Sequence, residues 1–221
     1  MTEHSIWVFI HILLFVYWLG GDLGVLILAR AATQAKLSFA ERVFSLKMSL
    51  LIDVLPRICF ALMFPVGLQI CRTGGFAEVG TGWLALAWVL AAAWVALIFA
   101  VGKHHDTPLG AKLGRLNLAF QSIVLFAIVS VGLWSLFGEG PFAGGWLAAK
   151  VLLFGLIFAA SIGIDFAFRP VAPAFMRLAT EGSKPDIERE ISRGVNGALV
   201  YVYALYALLV VIAFLGVTKP F

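Results

Sequence analysis

Six apolar runs, at about residues 5–29, 48–71, 83–103, 115–137, 145–168 and 196–217, constrain this chain more than any other feature. Each matches the roughly 20 residues an α-helix needs to cross the hydrocarbon core of a bilayer. A soluble domain of 221 residues cannot hide six such runs, because a single core of that size leaves too much surface in water. Composition agrees: 62% of residues are apolar and 13% charged, against roughly 45–50% and 25% in soluble domains. Mean hydropathy is +1.01. The runs are continuously apolar rather than alternating, unlike the strands of an outer-membrane barrel. The expected fold is therefore all-α, a polytopic bundle of six transmembrane helices in a lipid bilayer.

The sixteen Lys and Arg residues set the expected topology. Twelve lie in connectors one, three and five: Arg30, Lys36, Arg42, Lys47, Lys103, Lys112, Arg115, Arg169, Arg177, Lys184, Arg189 and Arg193. Only Arg72 and Lys219 lie on the opposite side. Because Lys and Arg in short loops stay cytoplasmic, both termini are expected outside an inner, cytoplasmic membrane. Scattered in this way, the basic residues form no patch for nucleic acid. The first run has no positive leading segment and is too long for the apolar part of a signal peptide, so it reads as a true span.

Short glycine-rich connectors at 72–82 and 138–145 predict antiparallel neighbours for spans two and three and for spans four and five. Residues 31–46 place Leu37, Val43, Phe44 and Leu46 near one stripe, which predicts a helix lying in the interface. Lys184-Pro185-Asp186-Ile187-Glu188 predicts a short charged helix leading into span six. Cys59 and Cys71, twelve residues apart, read as unpaired thiols. Histidines 104 and 105 with Asp106 read as a solvated loop.

Ionisable groups at membrane depth need a partner or a purpose, since each costs at least about 2.5–3.5 kcal/mol to insert. His11, Asp22, Asp53, Arg57, Lys150 and Asp165 are such groups. Helix rise divides them into two layers: His11 and Lys150 toward the outer boundary, and Asp22, Asp53 and Asp165 in the other half, with Arg57 nearer the middle. Spacing places His11, Trp18 and Asp22 on one face of the first helix, and Asp53 and Arg57 one turn apart on the second. An imidazole in a dry helical bundle is a ligand type for haem iron, with cations nearby to pair propionates. His11 is the candidate ligand, and Lys150 and Arg57 are the candidate cations. The histidines at 104 and 105 lie roughly 20 Å below His11, so a haem there is expected to be five-coordinate or to take a non-histidine sixth ligand, for which Met63 is a candidate.

Four patches resemble the HemJ-type protoporphyrinogen IX oxidases: His11-x6-Trp18-x-Gly20 continuing to Arg30, Trp146-Leu147-Ala148-Ala149-Lys150, Arg193-Gly194-Val195-Asn196, and the ending Lys219-Pro220-Phe221. The resemblance implies a four-helix core over about 5–71 and 145–221, with an inserted helical hairpin at about 83–137. It also implies haem b held by His11 and a lysine, here Lys150, needed for activity; Asp22 and Arg57 are the further catalytic candidates, and Trp18 and Asn196 the further cofactor-contact candidates. The implied reaction oxidises a porphyrinogen and passes electrons to quinone; separately, a homo-oligomer is expected. Two alternatives stand beside it. One is a CopD-like copper or ion permease, with Asp22, Asp53, Arg57 and Asp165 along a polar path. The other is a non-catalytic membrane subunit, whose Trp83, Trp88 and Trp94 form a stripe against a partner or lipid.

Overall fold

The computed structural model describes residues 2–104, 107–142 and 145–220. Within them the chain forms seven helices and no strand: α1 Glu3–Ala32, α2 Phe39–Gly74, α3 Thr81–Lys103, α4 Pro108–Phe137, α5 Gly145–Phe168, α6 Val171–Glu181 and α7 Pro185–Thr218. Six of these, all but α6, are long and apolar enough to cross a membrane. An even number of crossings puts both termini at one end, called here the terminal side. The other end is the connector side.

The interfacial helix expected over residues 31–46 does not form. Instead α1 runs on to Ala32, and α2 begins at Phe39 after a tight turn. The cause is local. Ser38 and Glu41 make a reciprocal capping box that starts α2 nine residues ahead of its apolar run, and the apolar stripe is absorbed into the α1–α2 hairpin. The charged helix expected from Lys184 does start there, with Pro185 in its first turn, and continues unbroken into the sixth span. The amphipathic α6 had no counterpart in the predicted elements; its buried stripe is Val171, Ala174, Phe175 and Leu178.

At 1.5 Å per residue, the 36 residues of α2 and the 34 of α7 extend about 50 Å each, well beyond a hydrocarbon core of about 30 Å. Their connector-side ends pack with α6 around Ile187, Ile191 and Val195. Within the membrane, α1 lies along α2, and α5 lies between α4 and α7. The predicted neighbours α2–α3 and α4–α5 do pack together. Glycine governs the closest approaches. A side chain on Gly132 would run into the backbone of Leu152 at 2.7 Å, so only glycine lets α4 meet α5 there.

A ring cluster fills the centre. Phe60 stacks on Trp18 at 4.8 Å and meets Phe158 at 4.4 Å, and Trp94 lies 5.3 Å from Phe158. The tryptophans of α3 are not one outward stripe. Trp94 points inward and donates to Asn117 Oδ1 at 2.9 Å, Trp88 packs on Trp7, and only Trp83, 74% exposed, faces out.

Candidate functional site

The two polar layers expected from helix rise are organised differently from one another. In the connector-side layer, the i,i+4 spacing of Asp53 and Arg57 becomes a real bond, Nε donating to Oδ2 at 2.5 Å. The guanidinium also reaches across to α5, where Nη2 donates to Asp165 Oδ1 at 3.4 Å. Arg57 is thus held between two carboxylates and is not a spare cation for a propionate. These side chains are 36%, 21% and 32% exposed for Arg57, Asp53 and Asp165. Partial exposure of charge at membrane depth calls for water rather than lipid beside it.

Asp22, Asp53, Arg57, Ser161 and Asp165 all line one cavity of about 130 Å³ between α1, α2, α5 and α7, with Trp18 in its wall. Its ionisable set is three carboxyls to one guanidinium. The α3–α4 hairpin joins this layer through Gln121, 1% exposed, whose Oε1 accepts from Ser161 at 3.0 Å. Gln121 and Asn117 were not among the expected site residues. They are neutral, and only tertiary packing shows that they are buried.

The terminal-side layer holds His11 and Lys150. The His11 ring lies against Gly67 of α2, where an added Cβ would stand 3.8 Å from Cε1. Its Nδ1 is fully buried and has no hydrogen-bond partner among the described residues. Met63 is buried one helical turn before Gly67. Lys150 reaches from α5 to α7, its Nζ filling the space in which a side chain on Gly216 would begin. Close by in sequence, Lys219 caps α7, and its Nζ sits 4.1 Å over Phe76 and 5.5 Å from Trp146.

Several expected residues stand apart from His11. Trp18 lies about 10 Å further along α1 by helix rise and belongs to the Asp22 cavity. Asn196 is exposed on α7, about 30 Å by helix rise from the Gly216 level that holds Lys150. His104 ends α3 on the connector side; His105, Asp106 and Phe221 lie outside the described residues. Cys59 and Cys71 are buried and unpaired.

Among the described residues, no three His, Cys, Asp or Glu side chains converge to hold a metal ion. The α3–α4 hairpin and helices α2 and α5 flank an open apolar recess of about 700 Å³ walled in part by Phe60, Phe64, Trp94, Phe154 and Phe158. Neither this recess nor the polar cavity is lined by His11 or Lys150. In comparisons with known proteins, the chain matches no family model, no curated protein and no solved structure.

Proposed function

We propose that the chain is a haem b-binding redox protein of an inner, cytoplasmic membrane, built like the HemJ-type protoporphyrinogen IX oxidases and passing electrons to quinone. One observation carries the reading: a histidine nitrogen at membrane depth, buried without a hydrogen-bond partner among the described residues. Such an atom costs about 1–3 kcal/mol to leave unsatisfied, and a resident ligand removes that cost. The donor types are those a porphyrin uses. His11 offers an imidazole nitrogen, its ring packed against Gly67, and Lys150 brings into the same layer an ammonium with no ion-pair partner among the described residues. Iron held there would supply a one-electron couple.

The chain's own residues then divide the work. Lys150 pairs a carboxylate of the porphyrin or porphyrinogen. Asp22, in the polar cavity, takes up the protons that oxidation of a porphyrinogen releases, while the Asp53–Arg57–Asp165 triad keeps that cavity wet and in shape. A visible spectrum of the detergent-purified protein tests the proposal. A Soret band with reduced α and β bands is expected, lost in His11→Ala and retained in His104→Ala and His105→Ala. No Soret band after expression with ample haem, or equal loss in the loop variants, overturns it. Complementation of a strain lacking protoporphyrinogen oxidase tests the reaction itself.

A second reading rests on the polar cavity: a CopD-like permease that moves an ion past Asp22, Asp53, Arg57 and Asp165. Ion flux into proteoliposomes that falls in Asp22→Asn, from protein that carries no haem, is its expected signature.

A further inference from the structure

A groove of about 640 Å³ opens on the connector side where the end of α5 meets the start of α7. Phe166, Ala167 and Pro170 form its apolar floor, and Arg189, Arg193, Asp186 and Glu190 form its charged rim. The two signs of charge are unequally occupied. Both acids are engaged by Arg177 of α6, through Nη2 at 2.7 Å to Asp186 and Nη1 at 3.0 Å to Glu190. The arginines have no such counterparts. Arg189 commits only its Nε, to the Pro185 carbonyl at 3.0 Å, and Arg193 makes no hydrogen bond or ion pair to a described residue. Four residues apart, the two sit one above the other on a single face of α7. At the edge of the groove, the Arg169 guanidinium lies 3.9 Å over the Phe166 ring.

Depth identifies the ligand class. Helix α5 ends at Phe168 and the apolar run of α7 begins just past Arg193, at about residue 196, so the groove stands at the end of two apolar runs, where hydrocarbon is expected to give way to headgroups. Two open guanidiniums match phosphate oxygens, and an apolar floor continuous with the bilayer matches acyl chain. We propose that this groove binds the phosphate headgroup of an anionic phospholipid, with Arg189 and Arg193 on the phosphate and the chains running along Phe166. Basic pockets between transmembrane helices take such headgroups in general, and here Arg177 holds Asp186 and Glu190 by hydrogen bonds and offsets part of their charge, so that Arg189 and Arg193 are left for an anion.

Native mass spectrometry of the full chain in mild detergent tests the site, with cardiolipin, phosphatidylglycerol or phosphatidylcholine added separately. The two anionic lipids are expected to stay bound at least about tenfold better than phosphatidylcholine. Arg189→Ala/Arg193→Ala should lose that preference and also the rise in melting temperature that cardiolipin gives, while Lys112→Ala/Arg115→Ala, on the same side of the bilayer, keeps both. Equal retention by the groove variant, or equal loss by the control variant, overturns the proposal. So does a matching rise in melting temperature with inorganic phosphate alone, which would assign the arginines to a soluble anion.

Discussion

Arg42 and Glu188, 146 residues apart, form a bidentate pair: Nη1 donates to Oε1 at 2.8 Å and Nη2 to Oε2 at 2.9 Å. The arginine is 2% exposed, its Nε donates to the Ala32 carbonyl at 2.8 Å, and its guanidinium lies 5.6 Å from the Phe175 ring. One side chain thus satisfies the end of α1 while tying the start of α2 to α6 and α7. Removing one partner of a buried pair typically costs about 3–5 kcal/mol. Arg42→Ala should therefore lower the melting temperature in detergent sharply, while Arg42→Met/Glu188→Leu recovers most of the loss.

The same pair predicts a pH dependence. Hydrogen bonds from Arg42, outside the spanning part of the chain, hold the Glu188 carboxyl below its usual range. A depressed carboxyl contributes stability above its unfolded pKa and loses it as pH falls through the folded value. Melting temperature should accordingly fall further on acidification in the wild type than in Arg42→Met/Glu188→Leu; parallel curves would refute the linkage.

Arg57 serves two carboxylates, so its loss should exceed that of either acid. With these side chains a fifth to a third exposed, Arg57→Ala is expected to cost about 1–2 kcal/mol, less than a sealed pair. Asp53→Asn added to Arg57→Ala should restore part of it. Chemical unfolding of the single and double variants checks the order.

Close helix contact at Gly132 and Gly155 leaves no space for a methyl group, since Cβ would meet Leu152 backbone at 2.7 Å in one case and Val129 Cγ2 at 2.7 Å in the other. Overpacking of this kind costs about 1–3 kcal/mol. Gly132→Ala and Gly155→Ala should destabilise, whereas Gly114→Ala, with nothing within 4 Å, should not. Thermal unfolding of the three variants reads the difference.

Gln121 and Ser161 should couple by about 0.6 kcal/mol in a double-mutant cycle, the average for a hydrogen bond between membrane helices. A coupling of zero would mean that the hairpin only leans on this layer.

Features carried by runs and spacings could be read from the sequence alone. Apolar length gave the six spans, and a four-residue interval gave Asp53–Arg57. The Ser38-x-x-Glu41 capping signal was also present in the sequence, but the apolar stripe at 31–46 competed with it, and the cap won because its two hydrogen bonds start α2 directly. Pairings across the bundle left no local trace. Arg42 looked like one more connector charge, and Gln121 like an ordinary polar residue on a span. The partner of Lys150 is the absence of a side chain at Gly216, which no periodicity announces. Asp165 joined the Asp53–Arg57 pair only once α5 had been laid beside α2.

The bond from Ser161 to Gln121, and the Trp94 ring set among Phe60 and Phe158, bear on what the third and fourth crossings are for. Excising residues 81–137 would strand a hydroxyl at the polar cavity and strip one side of the central aromatic cluster. A shortened four-crossing version of this chain would thus open greasy flanks to itself and to its neighbours, and would associate or degrade rather than stand alone.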